Sequence, residues 1–416
     1  MSYTALSLAQ TPPLAVPLRY LLTAPLFAAA AGVVVVFAPE ALLSRWTPAT
    51  LAVTHLLTLG FLAMTMFGAL QQLLPVLTGS RLPHAPLLSA LVHIGLTVGT
   101  ITLVLGMGTN HAVMLEVGTL LLLITVDIFA VVVGIALLRA RSAHATVGAM
   151  GGALCALLIT ILLGSGLLRH FEWQVPFIHP LTDLHVMWGL AGWVVTLLIG
   201  VAWQVVPMFQ LTPDYPRLLR RFLVPLLLAG LALWSVVRLA FATDIPFVLV
   251  ILALLVFAAT TLWLQLRRRR LPDVTLSFWR VAMVMLSGAV LAILLPGEHA
   301  LLFGVLFILG FAMSAVNGML YKIVPFLIWL HLNNRLQQSG QWQGRVPNMK
   351  QIISEAAMRR HYRLHLLLLG LALLALFWPV LARTAGAALA ISALLLWWNL
   401  WQGRRVYRAV LHGATV

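Results

Sequence analysis

Predominantly apolar segments of twenty or more residues recur along the whole chain, and no other feature of the sequence narrows the available folds so far. The hydrocarbon of a bilayer is about 30 Å thick and takes roughly 20 residues of helix to cross, because each backbone N–H and C=O must find its partner within the segment. Of the 416 residues, 62% are hydrophobic and 9% charged, which excludes a water-soluble globular domain. The runs are too long for strands. The expected fold class is all-α: a polytopic protein of about twelve transmembrane helices with the lipid bilayer as its first partner. The runs lie near residues 18–39, 48–78, 86–108, 114–138, 145–168 and 183–211, then 219–241, 245–266, 274–295, 297–331, 361–382 and 385–402.

A net charge of +16 would suggest nucleic acid in a soluble protein, but here the basic residues sit in short connections between apolar runs. Nucleic acid is therefore not an expected partner. Arg45, Arg169, Arg238 and Arg383 fall in odd-numbered loops, whereas Arg139, Arg141, Arg217, Arg220, Arg221 and the run Arg267 to Arg270 fall in even ones. By the positive-inside rule the even loops and both termini face the cytoplasm, as in a multi-pass protein of a bacterial inner membrane. The stretch from Met349 to Arg360 reads as a helix lying at the inner interface. Met1 to Pro17 has no basic segment followed by an apolar core, so it does not read as a cleaved signal peptide. A single cysteine, Cys155, leaves no disulfide, no C-x-x-C pair and no covalent haem attachment motif.

The chain repeats itself three times, about 18–140, 145–268 and 274–403, within one membrane domain of residues 1–416. The second helix of each four-helix block reads Gly60-x7-Gly68-x3-Gln72-x2-Pro75, Gly192-x7-Gly200-x3-Gln204-x2-Pro207 and Gly310-x7-Gly318-x3-Lys322-x2-Pro325. At 3.6 residues per turn these positions, with Met64, Thr196 and Ser314 between the glycines, form one drifting stripe. A histidine stands near the start of each helix: His55, His185 and His299. His55 is one residue off the register of the other two. Small residues let membrane helices approach closely. Alternatively, the glycines make room for a flat macrocycle whose iron a histidine ligates. The two readings are compatible, and both stay open at this point.

Twelve helices in three pseudo-threefold blocks, with histidines on helices two, six and ten, resemble subunit I of the haem-copper oxidases, closest to the cbb-type and nitric-oxide-reductase branch. The strings Thr54-His55-Leu56-Leu57-Thr58-Leu59-Gly60, Leu184-His185-Val186-Met187-Trp188-Gly189 and Gly318-Met319-Leu320-Tyr321-Lys322-Ile323-Val324-Pro325-Phe326 carry the resemblance. It implies that His55 is an axial ligand of haem b and that His185 binds copper. It also implies that His299 stands where the family has two helix-ten histidines, so that His55 and His299 share one low-spin haem beside Gly60, Gly68, Gly310 and Gly318. Helix seven lacks the pair of histidines that would complete the copper site, and Gly189 replaces the tyrosine that follows the copper histidine. A complete oxygen reductase is not expected. NnrS-type membrane proteins, which bind haem and copper and are linked to nitric-oxide stress, share the twelve-helix character, but their His-Glu-Met string is absent.

Other polar residues stand out against this background. His170, Glu172, His179, Asp183 and His185 precede or open helix six; His179 and Asp183 would supply metal ligands beside His185, or be solvated loop residues. Asp127 in mid-span four either moves protons or hydrogen-bonds another helix. Lys322, beside Tyr321, either snorkels to the interface or pairs with a carboxylate. His93 on helix three reads as a satisfied core histidine. No catalytic residue is assigned. The expected function is that of a b-type haem protein in electron transfer or the response to nitric oxide or another small gas, served by an electron-donor protein or quinol. The alternative is a non-redox protein, a transporter, copper handler or assembly partner, that kept the bundle and lost its cofactors.

Overall fold

A computed structural model describes residues 10–79, 84–140, 145–173, 178–269, 271–297, 299–339 and 346–411. No strand occurs among them. The helices are α1 (Ala15–Phe37), α2 (Pro48–Leu77), α3 (Ala85–Thr109), α4 (Ala112–Leu138), α5 (Ala145–Trp173), α6 (His179–Gln210), α7 (Arg217–Phe241), α8 (Val248–Leu266), α9 (Val274–Leu294), α10 (Ala300–Leu336), α11 (Glu355–Ala375) and α12 (Ala382–Leu411). Among the described residues, eleven helices are long and apolar enough to cross a membrane, α11 being the exception because Glu355, Arg359, Arg360 and Arg363 crowd its first turns. The chain is an all-α multi-pass membrane protein.

Helix ends follow local chemistry. Thr47 caps α2, its hydroxyl accepting from Thr50 N at 3.1 Å with Pro48 at the first helical position, where a missing N–H costs nothing. The expected interfacial helix from Met349 to Arg360 is not continuous. Asn348 caps a single turn, Met349–Ile352, the backbone extends at Ile353, and Ser354 then caps α11. Glu355 to Arg360 therefore belong to the eleventh helix, which starts six residues before the apolar run alone indicated.

Helices α2, α6 and α10 each contain a wide π turn, at Leu56–Ala63, Trp188–Val195 and Val305–Met313. Each ends three residues after the first glycine of the repeat, so Met64, Thr196 and Ser314 all restart the α-helix. A hydrogen bond from i to i+5 keeps residues five apart on one face. His55, five residues before Gly60, is thus returned toward the glycine face from which 3.6-residue arithmetic displaces it.

The glycines repeat a tertiary contact as well. A Cβ built on Gly68 would stand 2.7 Å from Tyr20 Cβ, and one on Gly60 2.5 Å from Phe27 Cβ. In the second block Gly200 faces Ala149 Cβ at 2.5 Å and Gly192 faces Ala156 Cβ at 3.0 Å; in the third, Gly318 faces Phe278 Cβ at 3.0 Å and Gly310 faces Met285 Cβ at 2.8 Å. The three partner pairs are each seven residues apart on the helix before, so α1–α2, α5–α6 and α9–α10 pack in one register.

Two compact units emerge. One comprises chiefly residues 70–271 and 286–296, where α3 and α4 pack through Gly95, Gly99, Gly106 and Gly118, α5 packs on α6, and α7 packs on α8. The other comprises residues 13–69, 272–285 and 297–416. There α1 crosses α12 where Gly32 and Gly386 meet backbone to backbone, and α12 packs on α10 and α11.

Candidate functional site

The second unit holds a fully buried polar cluster on three helices. On α10, Ser314, Asn317 and Tyr321 recur at helical spacing; on α11, His361 and His365 are one turn apart; on α12, Ser392 and Asn399 face the same interior. The two imidazoles, Ser314, Asn317 and Ser392 are all 0% exposed. Asn399 Nδ2 donates to Tyr321 Oη at 2.8 Å, and the same oxygen lies 2.9 Å from His361 Nδ1. His365 Nε2 lies 2.7 Å from Ser314 Oγ. Phe278 of α9 packs against both imidazoles with ring centroids 5.5 Å away. Among the described residues, the remaining ring nitrogens, His361 Nε2 and His365 Nδ1, have no hydrogen-bond partner, nor do either amide atom of Asn317 or the hydroxyl of Ser392. Orphan polar atoms of this kind cost about 1–3 kcal/mol each when buried.

Next to Tyr321 on α10, Lys322 Nζ donates to Asp273 Oδ2 at 2.6 Å, so the lysine pairs with a carboxylate rather than snorkelling. Asp273 also accepts from Thr275 Oγ1 at 2.7 Å and Leu276 N at 3.0 Å. Burial raises its pKa, but the hydrogen bond and charge of Lys322, with the Thr275 and Leu276 bonds, outweigh burial and hold the carboxyl below its ordinary value.

The three repeat histidines are placed differently from one another. His55 is half-buried, with Nδ1 donating to Leu51 O at 2.8 Å, which leaves the ring lone pair on Nε2. His185 Nδ1 lies 3.0 Å from Thr160 O of α5, its ring seated against Gly164, where a Cβ would come within 2.9 Å of Cε1. His299 precedes α10, and a Cβ on Gly297 would be 3.6 Å from its Nε2, so this ring folds toward its own loop. As a test of haem binding, the His55 donor fits an axial ligand. The space over Gly60, Gly68, Gly310 and Gly318 does not supply a cradle, since Phe27, Tyr20, Met285, Phe278 and Trp279 fill it.

Asp183 turns from His185 toward α7 and Arg238 at 3.7 Å; Arg238 also holds Asp244 at 2.8 Å. Residues two apart on a helix point about 200° apart, which explains the divergence. His179 is exposed at the start of α6, while the side chains of His170 and Glu172 lie outside the described residues. Among the described residues, no three His, Cys, Asp or Glu side chains converge as a metal site. Asp127 lies on the exposed stripe of α4, and no hydrogen bond or ion pair within the described residues reaches it.

Sequence reasoning passed over His361, His365, Asn317 and Asn399. A His-x3-His spacing inside an apolar run was the available signal, masked by the arginines on either side of His361. The comparisons found no protein-family model and no curated protein that matches this chain.

Proposed function

We propose that this chain is a b-type haem-binding protein of the bacterial inner membrane, its termini cytoplasmic, acting in electron transfer or the response to nitric oxide or another small gas. The observation that carries the reading is the His55 imidazole, whose Nδ1 donates to Leu51 O and so sets the tautomer with the ring lone pair on Nε2, the one an iron ligand needs. His299 would be the second residue to hold the haem, and α2 and α10 pack against each other along their π turns beyond the two histidines. A bound haem iron supplies one-electron exchange or gas binding. The chain's own residues orient its ligands and exclude water. His185, in the same tautomer, would hold copper, with an electron-donor protein or quinol as the partner. Full oxygen reduction is outside this reading, because α7 contributes no histidine.

A second reading, a non-redox transporter, copper handler or assembly partner, is favoured by the filled faces over Gly60, Gly68, Gly310 and Gly318. A pyridine haemochromogen assay and reduced-minus-oxidised spectrum of the purified chain separate the two. One haem b per chain is expected, lost in His55→Ala and in His299→Ala and kept in His185→Ala. A colourless protein purified from haem-replete cells overturns the haem reading.

A further inference from the structure

The buried cluster of α10–α12 falls into two hydrogen-bonded strings with a gap between them. One is Asn399–Tyr321–His361, the other His365–Ser314. The imidazole centroids are 6.2 Å apart, too far for a direct hydrogen bond between the rings and a span that a single water bridges. Asn317 stands on the face of α10 between Ser314 and Tyr321, and both its amide atoms, like one nitrogen of each imidazole, have no partner among the described residues. A buried water needs two to four polar partners, and these atoms provide them.

We propose that these residues hold ordered water and form a proton relay inside the membrane, running from Tyr321 and His361 across Asn317-bound water to His365 and Ser314. Each member other than the asparagines both donates and accepts hydrogen bonds, which is what passing a proton along a chain requires. Each hop moves one proton along one hydrogen bond; no other bond changes and no electron is transferred. The relay spans about 10 Å, the rise of the seven residues from Ser314 to Tyr321. At the start of α11, Asn399 Nδ2 also reaches Ala357 O at 3.4 Å, which ties the Tyr321 end of the relay to the backbone of α11. The groups that face the two imidazoles are Tyr321, Ser314, Phe278 and each other. No carboxylate completes a metal site with them among the described residues. The relay requires no haem and stands apart from the reading built on His55.

Deuterium exchange at the C2 position of each histidine, read by mass spectrometry on the full purified chain in D2O, tests it. The exchange passes through the protonated ring and so reports both water and proton arrival. His361 and His365 are expected to exchange within tenfold of the half-buried His299, and Asn317→Ile, which copies Ile199 of the second block, to slow both at least tenfold while His299 is unchanged. Ser314→Met, which copies Met64, serves the same purpose if that chain does not fold, with slowing expected at His365. Two rings that stay undeuterated while His299 exchanges fully overturn the proposal. So does one tightly held metal ion per chain that protects both.

Discussion

α6 and α10 share one backbone design and differ in what they bury. Both have the π turn, the two glycines eight residues apart and the same seat against the helix before them. Where α10 carries Asn317, Tyr321 and Lys322, α6 carries Ile199, Trp203 and Gln204, and α2 carries Phe67, Gln71 and Gln72. The π turn and the glycine contacts belong to the fold, since they occur three times. Among the described residues the first block also buries Gln71 and Gln72 on α2, but the hydrogen-bonded set with two histidines and a tyrosine is found on the third block, and no packing requirement common to the repeat explains it. Buried ionisable groups in a bilayer protein mark functional positions because lipid charges so much for them.

The largest effect that would break this comparison is expected at the Lys322–Asp273 pair, whose side chains are 15% and 27% exposed. Asp273→Ala leaves the Lys322 ammonium partly buried and unpaired, and a loss on the order of 3 kcal/mol is expected in a thermal melt of the purified chain. Lys322→Gln with Asp273→Ala copies Gln72 and Ala15 of the first block. That double variant should recover most of the loss. Failure to recover would mean that the third block needs its ion pair for folding, not only for chemistry.

A second test addresses what the blocks share. Gly200→Val and Gly318→Val push a side chain into Ala149 and into Phe278 and Trp279, and each is expected to cost on the order of 1–3 kcal/mol. Gly151→Ala and Gly370→Ala meet nothing within 4 Å and should be neutral or slightly stabilising. Equal penalties at Gly200 and Gly318 support a common packing role. A penalty at Gly200 alone would assign Gly318 to the polar site.

The stripe of glycines was legible in sequence, because eight-residue spacing on an apolar helix has few meanings, and so was the order of the twelve helices. What lay over the stripe was not legible. Gly68 and Gly310 look alike whether a neighbouring helix or a cofactor covers them, and only coordinates place Tyr20 and Met285 there. The π turns were hidden for a related reason: each inserts a residue without any proline or charge to announce it, so 3.6-residue counting misplaced His55. His361 and His365 were hidden by their setting. The run Arg359-Arg360-His361-Tyr362-Arg363 reads as an exposed helix start, yet on a helix the two histidines and the arginines point in different directions. Lys322 stood open between two partners, and the choice was made by Asp273, forty-nine residues earlier in the chain.

The pH dependence of stability sharpens the same contrast at a smaller scale. Asp273 has a folded pKa below its unfolded value of 3.8, so the pair's contribution is fully present above that value and is lost as pH falls through the lower folded pKa. Native protein should lose stability between pH 4 and more acid solution by an amount absent from Lys322→Gln, in which the chief cause of the depression is gone. Melting temperatures of both chains at stepwise lower pH check this. Parallel curves would show that Lys322 does not set the ionisation of Asp273.

The smallest effect is expected outside the polar cluster, at Asp127. Its carboxylate is on the exposed stripe of α4 among Ile124, Ile128 and Val131, which in a membrane face hydrocarbon or another chain. An ionised carboxylate against lipid is unfavourable by about 2.5–3.5 kcal/mol on insertion scales. No hydrogen bond within the described residues would be lost on its removal. Asp127→Asn should therefore change the melting temperature little, and Asp127→Leu should hold it or raise it slightly, in contrast to the fall at Asp273. A clear destabilisation of Asp127→Leu in native membranes, with none after detergent extraction, would mean that this carboxylate is satisfied by a partner helix.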